Sequence, residues 1–181
     1  MADFRIASEP DTLLRDHLYL FTPELNACPI LDLACGDGHN GILLAQRGFK
    51  VVFADRSDQA LAQVRARLDA EGISANLWHI DLESEDADPL SFRTFSAVLV
   101  FRYLHRPLMP AIRNALMPGG ILVYETFTAD QAQFGKPKNP DHLLAPGELV
   151  SLFRDWEVIY TFEGITGEPQ KAIAQLVCKK P

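Results

Sequence analysis

Residues 30–55 constrain the fold of this chain more than any other stretch. An apolar run, Ile30 to Ala34, enters the glycine-dense turn Cys35-Gly36-Asp37-Gly38-His39-Asn40-Gly41. A helix-compatible run from Ile42 to Arg47 follows, with Gly48 to end it, and a second apolar run, Val51 to Ala54, stops at Asp55. Strand, glycine turn, helix, strand and acid in this order describe a mononucleotide-binding β-α-β unit. Glycine suits such a turn because its backbone angles disfavour a Cβ and because a ligand has to lie against bare backbone. An acid closing the second strand can accept hydrogen bonds from ribose hydroxyls, so the pattern predicts a nucleoside-containing cofactor.

The literal spacing Gly36-x-Gly38-x-x-Gly41, with Asp55 about 20 residues further on, also fits a dinucleotide fingerprint and leaves an NAD-dependent oxidoreductase open. Three features favour S-adenosylmethionine (SAM). Asp32 lies inside the first strand, four residues before Gly36, where it could reach toward the ammonium of an amino acid. Trp78-His79-Ile80-Asp81-Leu82 closes a third strand with a carboxylate suited to an adenine amino group, and Leu116-Met117-Pro118-Gly119-Gly120 precedes a long apolar strand, Ile121 to Phe127.

The ordered set Asp-Leu-Ala-Cys-Gly-Asp-Gly (32–38), Ala-Asp-Arg-Ser (54–57), His-Ile-Asp-Leu (79–82) and Met-Pro-Gly-Gly (117–120) resembles the class I SAM-dependent methyltransferases over roughly residues 28–126. Within them, Cys-Gly-Asp-Gly-His-Asn followed by Leu-Leu-Ala-Gln-Arg-Gly-Phe is similar to the small tellurite-resistance-type methyltransferases, where an arginine commonly stands in the place of His39. The resemblance implies an α/β fold: one doubly wound, Rossmann-like domain whose seven-stranded, mostly parallel sheet ends in an antiparallel hairpin. It implies SAM as cofactor and S-adenosylhomocysteine as product.

The 181 residues suit a single domain over 1–181, with 1–28 as an N-terminal helical cap and 128–146 as a lid loop. At 48% hydrophobic residues the chain can bury a core. A net charge of −7 without any Lys/Arg run disfavours a nucleic-acid substrate. Cys28, Cys35 and Cys178 form no Cys-x-x-Cys pair, the five histidines are scattered, and no apolar run reaches membrane-span length; these point to a cytoplasmic protein without metal or membrane partner. Oligomeric state is open.

Along the rest of the chain, Ser8-Glu-Pro-Asp11 reads as a helix start with Ser8 as N-cap. Leu61, Val64 and Leu68 recur at helical spacing, Ala75 to Ile80 is a third strand, Glu83 to Pro89 an acidic surface turn, and Phe95 to Phe101 a strand buried on both faces. Pro107 to Leu116 reads as a helix, as does the stretch from Pro146 to Phe153; Glu157 to Phe162 and Ala172 to Cys178 are strands joined by a loop.

The candidate cofactor residues are Asp32, Ala34, Gly36, Gly38, Asn40, Asp55, Arg56, Asp81, Leu82 and Phe101. Asp55 is read as the ribose acceptor, Asp81 and Leu82 as the adenine contacts, and Arg56 as a flank for adenine or a solvated charge. Asn40 either caps the helix at Gly41 or meets the ligand. Arg102, Tyr103 and His105 follow the fourth strand and are the candidate catalytic residues. Arg102 or Arg106 could hold an anionic substrate and His105 could act as base. Glu125, costly in an apolar strand unless paired, is expected to border the substrate cavity with Phe127 or to pair with an arginine such as Arg102. Lys136, Lys138 and His142 lie in the lid loop. The reading is methyl transfer to a small-molecule acceptor of anionic, thiol or metalloid type. A SAM-binding protein without catalysis, and a protein or tRNA methyltransferase, remain alternatives.

Overall fold

A computed structural model describes residues 9–84 and 88–181. Seven strands form one sheet: β1 (Ile30–Leu33), β2 (Val51–Asp55), β3 (Asn76–His79), β4 (Phe95–Phe101), β5 (Leu116–Phe127), β6 (Glu157–Thr166) and β7 (Lys171–Lys179). Their order is β3-β2-β1-β4-β5-β7-β6. β1 to β5 run parallel, while β7 pairs antiparallel with both β5 and β6. The strand order reverses between β1 and β4, which opens a crevice at the carboxyl ends of these strands. The doubly wound sheet with a terminal hairpin is the fold expected from the sequence.

Parallel central strands are buried on both faces, so their apolar residues divide by parity between two cores. Val98, Val100, Leu122 and Tyr124 face one core with helix α4 (Met109–Ala115). Ala97, Leu99, Ile121 and Val123 face the other, with α1 (Thr12–Asp16), α2 (His39–Ala45) and α3 (Asp58–Ala70). Leu61, Val64 and Leu68 of α3 are buried there, as their spacing predicts, and Ser57 caps that helix by accepting from Ala60 N at 3.2 Å.

Several boundaries differ from expectation. Helix α1 starts at Thr12 with Asp11 as its N-cap residue, and Ser8 lies outside the described residues. Part of the acidic turn, residues 85–87, does too. α2 begins at His39 rather than near Ile42, and its N-cap is Gly38 in the left-handed region, so Asn40 is no cap. β5 extends back through Met117-Pro118-Gly119-Gly120 to pair Leu116 with Phe95, with a register shift before Ala97. β6 and β7 come within four residues of one another (167–170), a tighter hairpin than the spacing suggested. Segment 128–146 contains two short 3₁₀ turns, Ala129–Gln133 and Pro140–His142, and a final short helix, α5, spans Glu148–Leu152. Gln131 fastens this segment to β7, its Oε1 accepting from Ala172 N at 2.9 Å.

The first turn is fixed by two glycines packed against the core. A Cβ on Gly38 would sit 2.7 Å from Val64 Cγ2, and one on Gly41 would run into the Phe53 ring and within 2.6 Å of Asp32 Oδ2. Gly41→Ala should therefore lower stability by about 1–3 kcal/mol through overpacking. Urea unfolding monitored by circular dichroism checks this; an unchanged midpoint would remove the packing argument.

Candidate functional site

The crevice at the strand ends is a cleft of about 920 Å3. Its walls come from the ends of β1 (Ala34), β2 (Asp55, Arg56), β3 (Ile80, Asp81, Leu82, Glu83) and β4 (Arg102, Tyr103, Leu104). The end of β5 (Phe127) and the loop residues Lys136 to Asn139 and His142 complete it. Of the sequence candidates, Ala34, Asp55, Arg56, Asp81, Leu82, Arg102, Tyr103 and Phe127 meet here.

Asp55 sits at the centre of the first half. Its Oδ2 accepts from Gly36 N and its Oδ1 from Ser57 N, both at 2.9 Å. A carboxylate offers about four lone-pair sites, so two remain for a diol. Gly36 has a φ of +54°, and a Cβ built there meets nothing within 4 Å, which leaves bare backbone beside Asp55. Asp81 Oδ1 accepts from Glu83 N at 3.0 Å, and Leu82 is buried behind it. Arg56 is largely solvated, with NH1 3.7 Å from Glu83 Oε2.

Other candidates lie elsewhere. Asp32 is 3% exposed, and its Oδ2 accepts from Gly41 N at 2.9 Å, behind the turn rather than in the cleft. Gly38 and Phe101 pack on the core side. Asn40 is buried and binds Asp11: its Nδ2 donates to Asp11 Oδ2 and its Oδ1 accepts from Asp11 N, both at 2.9 Å. His105 lines a separate cavity of about 400 Å3. Glu125 is buried, but its partners are Gln175 Nε2 at 2.6 Å and Lys171 Nζ at 3.4 Å, not Arg102, and it faces a third cavity of about 660 Å3. The register explains this, since Glu125 stands opposite Gln175 on β7. Arg106 is likewise committed: Nε and NH2 grip Glu148 at 2.6 and 2.9 Å, and NH1 and NH2 bind the Asp141 and Leu143 carbonyls. Such a two-pronged grip commits four of its five N–H donors and ties the loop to α5.

Arg102 adopts a φ of +56° and Ala34 one of +53°, two non-glycine left-handed residues at neighbouring strand ends in the cleft wall. Conformations of this kind cost on the order of 1–3 kcal/mol and cluster at functional sites. The Arg102 guanidinium reaches Asp11 Oδ2 at 2.5 Å, where His39 Nε2 also arrives at 2.9 Å. Burial alone would raise the Asp11 carboxyl, but hydrogen bonds from His39 and Asn40 and the Arg102 charge hold it well below the usual range. Burial disfavours charge on His39, yet its bonds to Asp11 and Asp37 outweigh that and raise its pKa. Sequence reasoning missed Asp11 as a site residue, since its partners lie 28, 29 and 91 positions away.

Burial pushes the Cys35 thiol far up, so it is no nucleophile. The Tyr103 hydroxyl is buried and also raised, by desolvation first and then by the nearby Glu83 carboxylate. Among the described residues no helix is long and apolar enough to cross a membrane, and no group of three His, Cys, Asp or Glu is arranged to hold a metal ion.

Comparison with known proteins bears on this geometry. A family described as a methyltransferase domain matches residues 30–120. The chain is 27% identical over 135 residues to the tRNA 5-carboxymethoxyuridine methyltransferase of Escherichia coli (strain K12), covering 65% of this chain and 52% of that protein. It is 35% identical over 121 residues to the trans-aconitate 2-methyltransferase of Pseudomonas paraeruginosa (strain DSM 24068 / PA7), covering 65% and 41%. The crystal structure of TehB from Haemophilus influenzae superimposes with a TM-score of 0.74 at 19% identity, covering 93% of this chain and 61% of that one. The chain spans about half the length of the curated relatives it matches.

Burial lifts the Asp32 carboxyl from 3.8 to about 7, with the Gly41 N–H and the His39 charge opposing and Asp37 and Asp55 adding to the rise. A folded pKa above the unfolded one means stability is lost as pH climbs from about 4 through about 7. Asp32→Asn keeps an acceptor for Gly41 and removes the titration. The stability of the variant relative to the original protein should therefore grow between about pH 4 and pH 7 and level off above. Urea unfolding across that range checks it, and a pH-independent difference would contradict it.

Proposed function

The chain belongs to the methyltransferase-domain family, and on that premise we propose that it transfers the methyl group of S-adenosylmethionine to a small anionic acceptor, a carboxylate being the best-suited class. The observation that carries the acceptor class is the charge layout of the cleft. The acids Asp55, Asp81 and Glu83 stand at the β2 and β3 ends, while Lys136, Lys138 and His142 stand beyond β5, on the far side of β4. None of these three cationic or titratable side chains has an ion pair or side-chain hydrogen bond among the described residues. Free positive charge facing a cleft attracts an anion. Two relatives are named for carboxylated substrates, a carboxymethoxyuridine in tRNA and trans-aconitate. The acidic net charge of −7 favours the small molecule over the nucleic acid.

The residues of the cleft fit the cofactor's nucleoside end. Asp55 keeps two lone-pair sites for ribose hydroxyls, Asp81 offers a carboxylate and Leu82 an apolar surface for adenine, and the Gly36 backbone is open beside them. When bound, S-adenosylmethionine supplies a methyl group on a positively charged sulfur that departs as a neutral thioether. The chain's own part is alignment. Lys136 and Lys138 hold the acceptor's anionic group, and Phe127 and Leu104 wall the cleft with apolar surface and limit water. The Tyr103 hydroxyl, kept protonated by its raised pKa, can donate to an acceptor but cannot take its proton. A carboxylate is already ionised at neutral pH and brings its own lone pair, so a cleft that does not contain His105 suffices. The catalytic trio read from the sequence thus reduces to Arg102 and Tyr103 at the cleft.

Incubation with methyl-labelled S-adenosylmethionine and a panel of small carboxylic acids, thiols and bulk tRNA tests the reading. Label in a carboxylate methyl ester is expected; label confined to tRNA, or to none of the panel, would overturn the acceptor assignment. The double change Lys136→Glu/Lys138→Glu should raise the acceptor KM about tenfold or more, equivalent to about 1.4 kcal/mol. S-adenosylhomocysteine affinity should stay within twofold in the same variant. A fall in cofactor affinity instead would assign the lysines to the wrong ligand.

A further inference from the structure

On the α1 side of the sheet, behind the end of β5, lies the cavity of about 660 Å3 that methyl transfer in the cleft leaves unused. One wall is a row of side chains aligned by strand register: Glu125 on β5 stands opposite Gln175 on β7, and Gln175 opposite Phe162 on β6. Residues opposite one another on neighbouring strands share a face, so a carboxylate, an amide and an aromatic ring lie side by side. Tyr160, two residues before Phe162, adds a second ring, while α1 and His17, which follows it, supply more of the lining. The cavity and the cleft have no lining residue in common.

The polar groups here are acceptors short of donors. Glu125 is 3% exposed, and its Oε2 accepts from Gln175 Nε2 at 2.6 Å. Tyr160 Oη donates to Gln175 Oε1 at 3.3 Å, which orients the amide and, through it, the carboxylate. Among the described residues the charge of Glu125 is met only by Lys171 Nζ at 3.4 Å, longer than the about 2.7–2.9 Å of a well-made charge-assisted bond. Lys171 is a loose counter-ion on a flexible, half-exposed stem. His17 is 8% exposed, and its Nδ1 lies 2.8 Å from Leu13 O. A carbonyl only accepts, so in the neutral ring Nδ1 carries the proton and Nε2 is left as an acceptor. Among the described residues nothing donates to that nitrogen, and Asp16 has no ion pair. Asp11, by contrast, is spent on Arg102, His39 and Asn40.

We propose that this cavity is a second ligand site, separate from the cleft, that binds a protonated amine with an aromatic or apolar body. The ammonium takes the place of Lys171 Nζ on Glu125, and Lys171, a tethered stand-in for it, swings into solvent. The Phe162 and Tyr160 rings receive the body and attract its charge. His17 Nε2 and Asp16 accept from any further donor the ligand carries. An anion is disfavoured, because Glu125 and Asp16 outnumber Lys171. The site stands on its own geometry and does not depend on the methyl acceptor.

Titration of the full, isotope-labelled chain with phenethylammonium, followed by amide NMR shifts, tests it, with phenethyl alcohol as the uncharged counterpart. Saturable shifts centred on α1 and the β6–β7 hairpin are expected for the amine, and none for the alcohol at the same concentrations. No shifts with the amine, equal binding of the alcohol, or shifts centred on the glycine turn and Asp55 would each overturn the site. Two variants carry opposite signs. Lys171→Met removes the tethered ammonium and should lower the Kd of the amine about threefold or more. Glu125→Gln keeps an acceptor for Gln175 but removes the charge, and should raise that Kd about tenfold or more. An affinity that fails to rise in the first variant, or fails to fall in the second, overturns the proposal. Lys171 is half-exposed, so Lys171→Met decides the matter even if Glu125→Gln does not fold.

Discussion

The hydrogen bond from the Gly41 N–H to the buried Asp32 carboxyl is the constraint on which the site depends. It ties the middle of β1 to the first turn of α2 across the glycine loop and so sets how close the loop backbone lies to the strand. Gly41 has no side chain because that carboxyl and the Phe53 ring occupy the space. The loop thus formed presents Gly36 to Asp55, which fastens β1's turn to the end of β2. A carboxyl in such a position is tolerated because it is hydrogen-bonded and, below about pH 7, uncharged.

A second layer of organisation is electrostatic. Acids gather where β2 and β3 end, cations where the chain continues past β5, and Arg102 stands between them on a strained backbone. The scaffold keeps this division because each group is carried by a different strand end, and parallel strands fix the spacing of their ends through a continuous ladder. Arg106, gripping Glu148 and two loop carbonyls, keeps the cationic segment from drifting.

The fold was legible because parallel strands write themselves as apolar runs. β4 reads from Phe95 to Phe101 in both sequence and structure, and Asp55 closes β2 as its place predicts. Boundaries blurred where local chemistry has two solutions: Asn40 resembles a cap, but a left-handed Gly38 already ends the turn and frees Asn40 for Asp11. Side-chain direction was the harder problem. Asp32 and Glu125 were identified as acids in strands, yet which way each faces follows from pairing register and from the helix above, which no local pattern encodes. Asp11 escaped because its meaning comes wholly from residues distant in the chain.

The Arg106 clasp has a consequence for how such a protein can change over time. Because the loop over the cleft is held at its base by Arg106 and by Gln131, residues at its tip, from Lys136 to Asn139, are exposed or half-buried and carry no part of either core. Substitutions there alter the shape and charge met by an incoming molecule without reaching the glycine turn or β2. The chain is in this sense two separable devices, one held by packing and one free of it, and the charge at the outer wall of the cleft can be rewritten at four adjacent residues without disturbing either core.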